Sequence, residues 1–348
     1  MKDLLATGDS SVLDRRREIV SMSLGELIDA LQSRIYSPTQ VLEAYQAKAL
    51  EITERLNCVT EFISEATTLA ERLENDQSDS RRKLPLYGVP FSVKDNFFME
   101  GYNATSGCAC NLDNPKNCEC TLVSHLRSLG AVPFVRTNVP QTLLSYVCSN
   151  PVWGTTLNPH DTSRSPGGSS GGEACLVASG GTPFGIGSDV AGSLRIPAAF
   201  CGIVSMKPTW NRLRVTNADP GIPGVANVTL CYGFFTKCTE DLKRLMSLTV
   251  ADGFFALSPL TVPLPWSYHN QDSVEKFPLR IGFCKTDGWF PPVPAMKRAV
   301  QQTADRLADA GHIVIPFTIP KPDAAFSHGV RALLMDNGEY IYKVSEMN

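Results

Sequence analysis

The chain of 348 residues predicts an α/β fold, a mixed and largely parallel central sheet covered by helices on both faces. Three observations carry that expectation. Short apolar runs rich in β-branched and aromatic residues alternate with longer runs of helical spacing, as strands and helices do in α/β domains. The strand-like runs are apolar nearly throughout, the pattern of strands buried on both sides. Residues 163–209 are rich in glycine and serine, yet Ala174, Leu176, Val177, Ile186, Val190, Leu194 and Ile196 run through them, so the stretch reads as buried helix and strand and not as a linker.

Taken in order, Ser23 with Glu26 marks a short helix. Ser37-Pro38-Thr39-Gln40 starts a longer one, with a serine cap, proline at the first position and glutamine as third helical residue. Val41, Leu42, Tyr45, Ala49 and Ile52 follow at roughly helical spacing. Another helix is expected over 61–75. Residues 87–93 read as a strand with Lys94 at its end, 121–129 as a helix, 132–136 as a strand and 141–146 as the start of a helix. Residues 169–179 should be a buried helix whose N-terminus faces the site, and 183–187 a strand leading into a loop that ends on Ser193. Residues 279–284, 295–310 and 312–316 read as β–α–β. A polar tail, 1–20, and one domain, 21–348, are expected, with no internal repeat.

Composition excludes several classes. A net charge of −3 argues against a nucleic-acid-binding surface. Residues 1–18 are too polar for a signal peptide or a membrane span, and the uncharged run 253–270 is interrupted by Pro259, Pro263 and Pro265. Eleven cysteines without a secretory signal fit reduced thiols in an intracellular compartment. Cys108-Ala-Cys110 and Cys118-Glu-Cys120 lack the C-x2-C spacing of a zinc knuckle, so no metal is assigned to them. No cofactor is called for. The five histidines sit in no triad-like context, which disfavours Ser–His–Asp chemistry.

The chemistry concentrates in residues 163–209. Gly167, Gly168, Gly171 and Gly172 flank Ser169-Ser170, and Gly185, Gly187 and Gly192 lead to Ser193. Such a loop lets several amide N–H groups point at one developing negative charge. GGSSGGE followed by GSDVAGSLRIPAAFCGI and KPT, with Gly88-Val89-Pro90-Phe91-Ser92-Val93-Lys94-Asp95 upstream, resembles the amidase signature family of serine hydrolases. The intervening GAVPFVRTNVPQTLLSYVCSNPVWGTTLNP is similar to that family's fatty-acid amide hydrolase branch. The resemblance runs from about Ile19 to about Pro322.

The resemblance implies a Ser–Ser–Lys triad: Ser193 as nucleophile, Ser169 as bridging serine after a cis peptide bond from Gly168, and Lys94 as base. Ser193 follows Ser169 by 24 positions, the separation that branch shows. A lysine is a base only when neutral, so burial must depress its pKa from about 10.4. The same resemblance implies an oxyanion hole from the backbone N–H groups of Val190, Ala191, Gly192 and Ser193, and an acyl channel near Leu143, Leu144 and Tyr146. Ser170 is expected either to cap the following helix or to support the site from behind, and Arg195 to pair with Asp189.

Hydrolysis of fatty-acid amides, N-acylethanolamines included, to free acid and amine is the function this implies. The resemblance also allows peripheral contact with the cytoplasmic face of internal membranes and a homodimer. Small or peptide-like amides are the alternative substrates, and a non-catalytic form binding acyl lipids is the alternative function. Two departures stand out: Ala191 replaces the family's glycine before Gly192, and Gly233-Phe234-Phe235 stands where Gly-Pro is usual. Family members continue well past the equivalent of His312–Phe317, so the domain is expected to be shortened at its C-terminus.

Overall fold

In the computed structural model, which describes residues 9–76, 78–225, 228–267 and 278–347, capped helices open the chain. The Asp9 carboxylate accepts from the Ser11 amide at 2.9 Å and starts α1 (Ser10–Ser21), which buries Ile19. Reciprocal capping boxes, Ser23 with Glu26 and Ser37 with Gln40, start α2 (Leu24–Gln32) and α3 (Pro38–Leu56). Each box satisfies amides that a helix start leaves without partners. Pro38 sits in the first turn, where its missing N–H costs nothing, and Asn57 ends α3 in the left-handed conformation at φ 52°. The apolar stripe expected of α3 is the buried one: Val41, Leu42, Tyr45, Ala49 and Ile52 all lie in the core.

A six-stranded sheet follows. Its strands are β1 (Val59–Phe62), β2 (Pro90–Lys94), β3 (Val132–Thr137), β4 (Gly185–Asp189), β5 (Val204–Ser205) and β6 (Cys231–Thr236), in the order β1-β3-β2-β4-β6-β5. The central β3, β2 and β4 pair in parallel, while β1, β6 and β5 pair antiparallel to their neighbours. β2, β3, β4 and β5 therefore share one direction, and the sheet is mixed with mostly parallel strands. Every residue of β2, β3, β4 and β6 is buried. The helices between and after them are α4 (Ala66–Asn75), α5 (Thr121–Ser128), α6 (Gly171–Ala178), α7 (Arg195–Cys201), α8 (Thr239–Thr249) and α9 (Asp252–Leu257).

Two stretches depart from expectation. Residues 61–75 are not one helix: β1 pairs with the end of β3 before α4 begins, Phe62 opposite Val135. Residues 141–146 make only the 3-10 turn Gln141–Leu143, with Thr142 at φ 59° and Leu143 at φ 61°. There the Thr142 amide donates to the Ser106 carbonyl at 2.9 Å, a tertiary bond that displaces helical pairing.

Aromatic contacts join the strands, and apolar packing and close backbone approach bring the helices onto them. Phe91 stacks on Phe184 at 5.4 Å between centroids, and Phe184 meets Phe234 edge-on at 6.2 Å. Ala174 and Val177 of α6 pack with Leu194, Ala198, Cys201 and Phe235. Gly172 lets α6 lie directly on the chain beyond β3: a Cβ there would sit 2.4 Å from the Asn138 nitrogen and 2.7 Å from the Cys58 oxygen.

The chain divides into two compact units, Met1–Gly224 with Thr229–Pro265 and Glu339–Asn348, and Val225–Val228 with Trp266–Gly338. The second holds the expected β–α–β: β7 (Arg280–Phe283), α10 (Pro294–Asp309) and β8 (Ile313–Pro316), the strands pairing in parallel with Ile313 opposite Arg280. Then comes α11 (Pro322–Leu333). Trp289 contacts Phe290 and Phe326 at 4.4 and 5.1 Å between centroids. Among the described residues no helix is long and apolar enough to cross a membrane.

Gly172→Ala forces backbone apart in a filled core. We expect it to cost about 3 kcal/mol, at the upper end of overpacking penalties, read as a lower midpoint in urea with an unchanged slope.

Candidate active site

β2 ends on Lys94, and its neighbours decide what the amine can do. The side chain is wholly buried. Nζ lies 2.8 Å from Oγ of Ser169 and 2.8 Å from Oγ of Ser188, donating to both. Burial lowers the pKa from 10.5 to about 7, against the opposing pull of Asp189, Cys148, Glu173 and Asp95. The amine is thus in reach of neutrality at physiological pH, when its lone pair can take a proton from the Ser169 hydroxyl.

Ser169 stands two residues before α6 and follows a cis peptide bond from Gly168. Gly168 lies so close under the Ser145 carbonyl that a Cβ would be 2.3 Å from its oxygen. Ser170 does not cap α6; its hydroxyl donates to the Ser188 carbonyl at 3.3 Å, and its amide to the Ser193 carbonyl at 3.3 Å. The three serines 169, 170 and 193 therefore share one corner, beside the end of β4.

The loop after β4 is organised by Asp189. Its carboxylate accepts from the Gly192 amide at 2.8 Å, the Leu194 amide at 3.0 Å and Arg195 through Nε at 3.0 Å and Nη2 at 2.9 Å. Burial pushes this carboxyl up, but the Arg195 guanidinium and the two amides outweigh it and hold the pKa below the usual 3.8. The expected Arg195–Asp189 pair is present. Of the four amides expected as oxyanion donors, the Gly192 N–H donates to Asp189 in this structure. Val190 is half-buried and Ala191 exposed, so the loop opens to the surface here, and Ser193 keeps 8% of its surface exposed.

The segment around Leu143 borders this opening. Leu143 is buried and lies against Gly221, Leu144 is 37% exposed, and the Tyr146 hydroxyl donates to the Ala191 carbonyl at 3.4 Å. Cys108 and Cys120 are buried, Cys110 and Cys118 half-buried, and among the described residues no three histidine, cysteine or acidic side chains gather as metal ligands would.

Sequence reasoning passed over several residues of the site. Ser188 is the second partner of Lys94. Glu173, fully buried, accepts from Ser92 Oγ and Thr137 Oγ1, both at 2.6 Å. Asp95, also fully buried, accepts from Thr105 Oγ1 at 2.9 Å and the Ser106 amide at 2.6 Å, and lies 3.5 Å from the buried Arg136. A single acidic residue inside the otherwise apolar GGEACLVA was the available signal for Glu173. Asp189→Ala would leave two amides without their acceptor and free the half-exposed Arg195, and we expect a loss of about 2 kcal/mol in chemical denaturation, together with a more protease-sensitive 190–194 loop.

The arrangement supports acyl transfer: a buried amine in contact with one serine, further serines in the same corner, and backbone amides around an opening. A family model described as Amidase matches residues 40–347. The chain is 40% identical over 305 residues to the vitamin D3 hydroxylase-associated protein of Gallus gallus, covering 88% of this chain and 64% of that protein. It is 39% identical over 324 residues to fatty-acid amide hydrolase 1 of Sus scrofa, covering 92% and 54%. A solved structure of a fatty acid amide hydrolase aligns with a TM-score of 0.88 at 26% identity, over 99% of this chain and 62% of that one. The chain thus spans between 54% and 64% of the length of these relatives. By sequence and fold together, it belongs to the amidase signature family.

Proposed function

We propose that this chain is a serine amidase that hydrolyses fatty-acid amides, such as N-acylethanolamines and primary fatty amides, with Lys94, Ser169 and Ser193 as its triad. The observation that carries the proposal is the 2.8 Å contact between Ser169 and a wholly buried lysine amine whose pKa is lowered to about 7. A lysine held this way is a general base, and an amide hydrolase needs one.

Neutral Lys94 draws the proton of Ser169, which draws that of Ser193, and Ser193 Oγ attacks the amide carbonyl. The oxyanion forms against the amides of Val190, Ala191 and Ser193; one such donor is worth about 10²–10³ in rate. Collapse breaks the C–N bond while Lys94 returns the proton through Ser169 to the departing amine. Water, activated by the same relay, then releases the acid from the acyl-enzyme.

The fatty-acid part of the proposal rests on the relative so named and on Leu143 and Leu144 beside the opening. Each buried methylene contributes about 0.8 kcal/mol. A long acyl chain also partitions into lipid, so the proposal includes peripheral contact with a membrane that presents the substrate.

A fluorophosphonate probe should label Ser193, as mapped by mass spectrometry, and Lys94→Ala should slow labelling by about 10³-fold or more. A folded wild-type chain that takes no label would overturn the proposal. With pH, labelling should rise through about 7 and level off above it, because only the neutral amine accepts the proton. On a panel of acyl chain lengths, kcat/KM should climb by up to about fourfold per methylene until the channel is filled.

A further inference from the structure

Glu173 buries a carboxyl group completely and takes no cation partner among the described residues; its contacts are the hydroxyls of Ser92 and Thr137, at 2.6 Å each. Those two residues are not arbitrary. Ser92 precedes Lys94 by two positions on β2, so their side chains share a face of the sheet. Thr137 is the register partner of Lys94 on β3. Glu173 itself belongs to α6, the helix that begins two residues after Ser169. One carboxyl group therefore joins the strand that carries the base, the strand beside it and the helix that carries the bridging serine.

The surrounding chain makes room for this. Gly185 on β4 faces the carboxyl so closely that a Cβ would be 1.7 Å from Oε2 and 2.7 Å from Ser92 Oγ. Burial raises the Glu173 pKa to about 8, only partly offset by the two hydroxyls and by Lys94. An apolar residue of similar size would fill the position without that cost, which points away from packing as the reason for an acid here.

We propose that Glu173 is a positioning residue for the Lys94–Ser169 contact: its carboxyl group clamps α6 to β2 and β3 through Ser92 and Thr137, setting the distance between base and bridging serine and closing the floor beneath the lysine to water. The inference rests on the triad assignment above for its catalytic meaning, though not for its geometry. In its protonated form the acid pairs with the hydroxyls through one acceptor and one donor, a pattern that a glutamine reproduces and an alanine does not. Of the titratable groups around the amine, Asp189, Cys148 and Asp95 are untouched by changes at Glu173, and Glu173 itself, protonated below about 8, carries little charge for Glu173→Gln to remove where the amine titrates.

The test compares Glu173→Gln, Glu173→Ala and the double variant Ser92→Ala/Thr137→Val. Two readouts are taken across pH: the rate of fluorophosphonate labelling at Ser193, and the titration of the Lys94 amine by 15N NMR in lysine-labelled protein. Glu173→Ala should slow labelling at least about tenfold, and the Lys94 titration should move up by about one unit as water reaches the amine. Glu173→Gln should stay within about threefold of wild type with the titration unmoved. If Glu173→Ala does not melt cooperatively, the double variant, which changes little volume, should show the same upward shift. A folded Glu173→Ala or double variant with an unmoved Lys94 titration would overturn the clamp. A wild-type chain that resists labelling would count against the triad instead, while the NMR titration, which needs no activity, still decides the clamp.

Discussion

A lysine amine held out of water without an ion pair is the constraint on which the rest of this structure depends. Lys94 is fully enclosed, yet among the described residues its neighbours at hydrogen-bonding distance are two serine hydroxyls and no carboxylate. Each pKa unit of depression is about 1.4 kcal/mol against the charged form, so the surrounding protein must be stiff and dry enough to enforce neutrality. The uninterrupted burial of β2, β3 and β4 supplies that wall. Parallel strands joined by crossover helices are buried in this way, which lets a strand end be enclosed as it could not be at a wet edge.

Around that neutral centre lies a ring of charges, each satisfied in its own way. Asp189 spends its acceptors on the loop that presents Ser193, and Arg195 closes the pair. Arg136, fully buried, donates to the carbonyls of Asn103, Asp95 and Phe97 and lies near Asp95 and Glu61. It anchors the segment leaving β2, so the turn beyond Lys94 is held by a guanidinium fork that matches several carbonyls at once. These groups organise backbone; they do not neutralise the amine.

What could be read from the sequence was what local chemistry decides. Capping boxes at Ser23 and Ser37, the apolar stripe of α3, the strand ending on Lys94 and the glycine-bracketed serines all follow from neighbours within a few positions. Ser188 and Glu173 escaped because their roles depend on register: Ser188 meets an amine 94 positions away, and Glu173 a hydroxyl 81 positions away. The short strand Val59–Phe62 has a half-buried and partly polar face, so no alternation announces it. The turn at Gln141 has helix-like apolar spacing, but a hydrogen bond to Ser106 decides its conformation. The bond from the Gly192 amide to Asp189 is likewise visible only in the folded loop.

The crowding between Gly185 and Glu173 has an evolutionary corollary. A methyl group at position 185 would occupy the space of the Glu173 carboxyl oxygen, so position 185 cannot leave glycine while the acid is in place. A lineage that acquires alanine there must already have shortened or lost the acid, and one that regains the acid must first restore glycine. Across descendants of this fold the two positions should change as a pair, leaving a covariation signal between a strand and a helix that the chain itself keeps only a dozen residues apart.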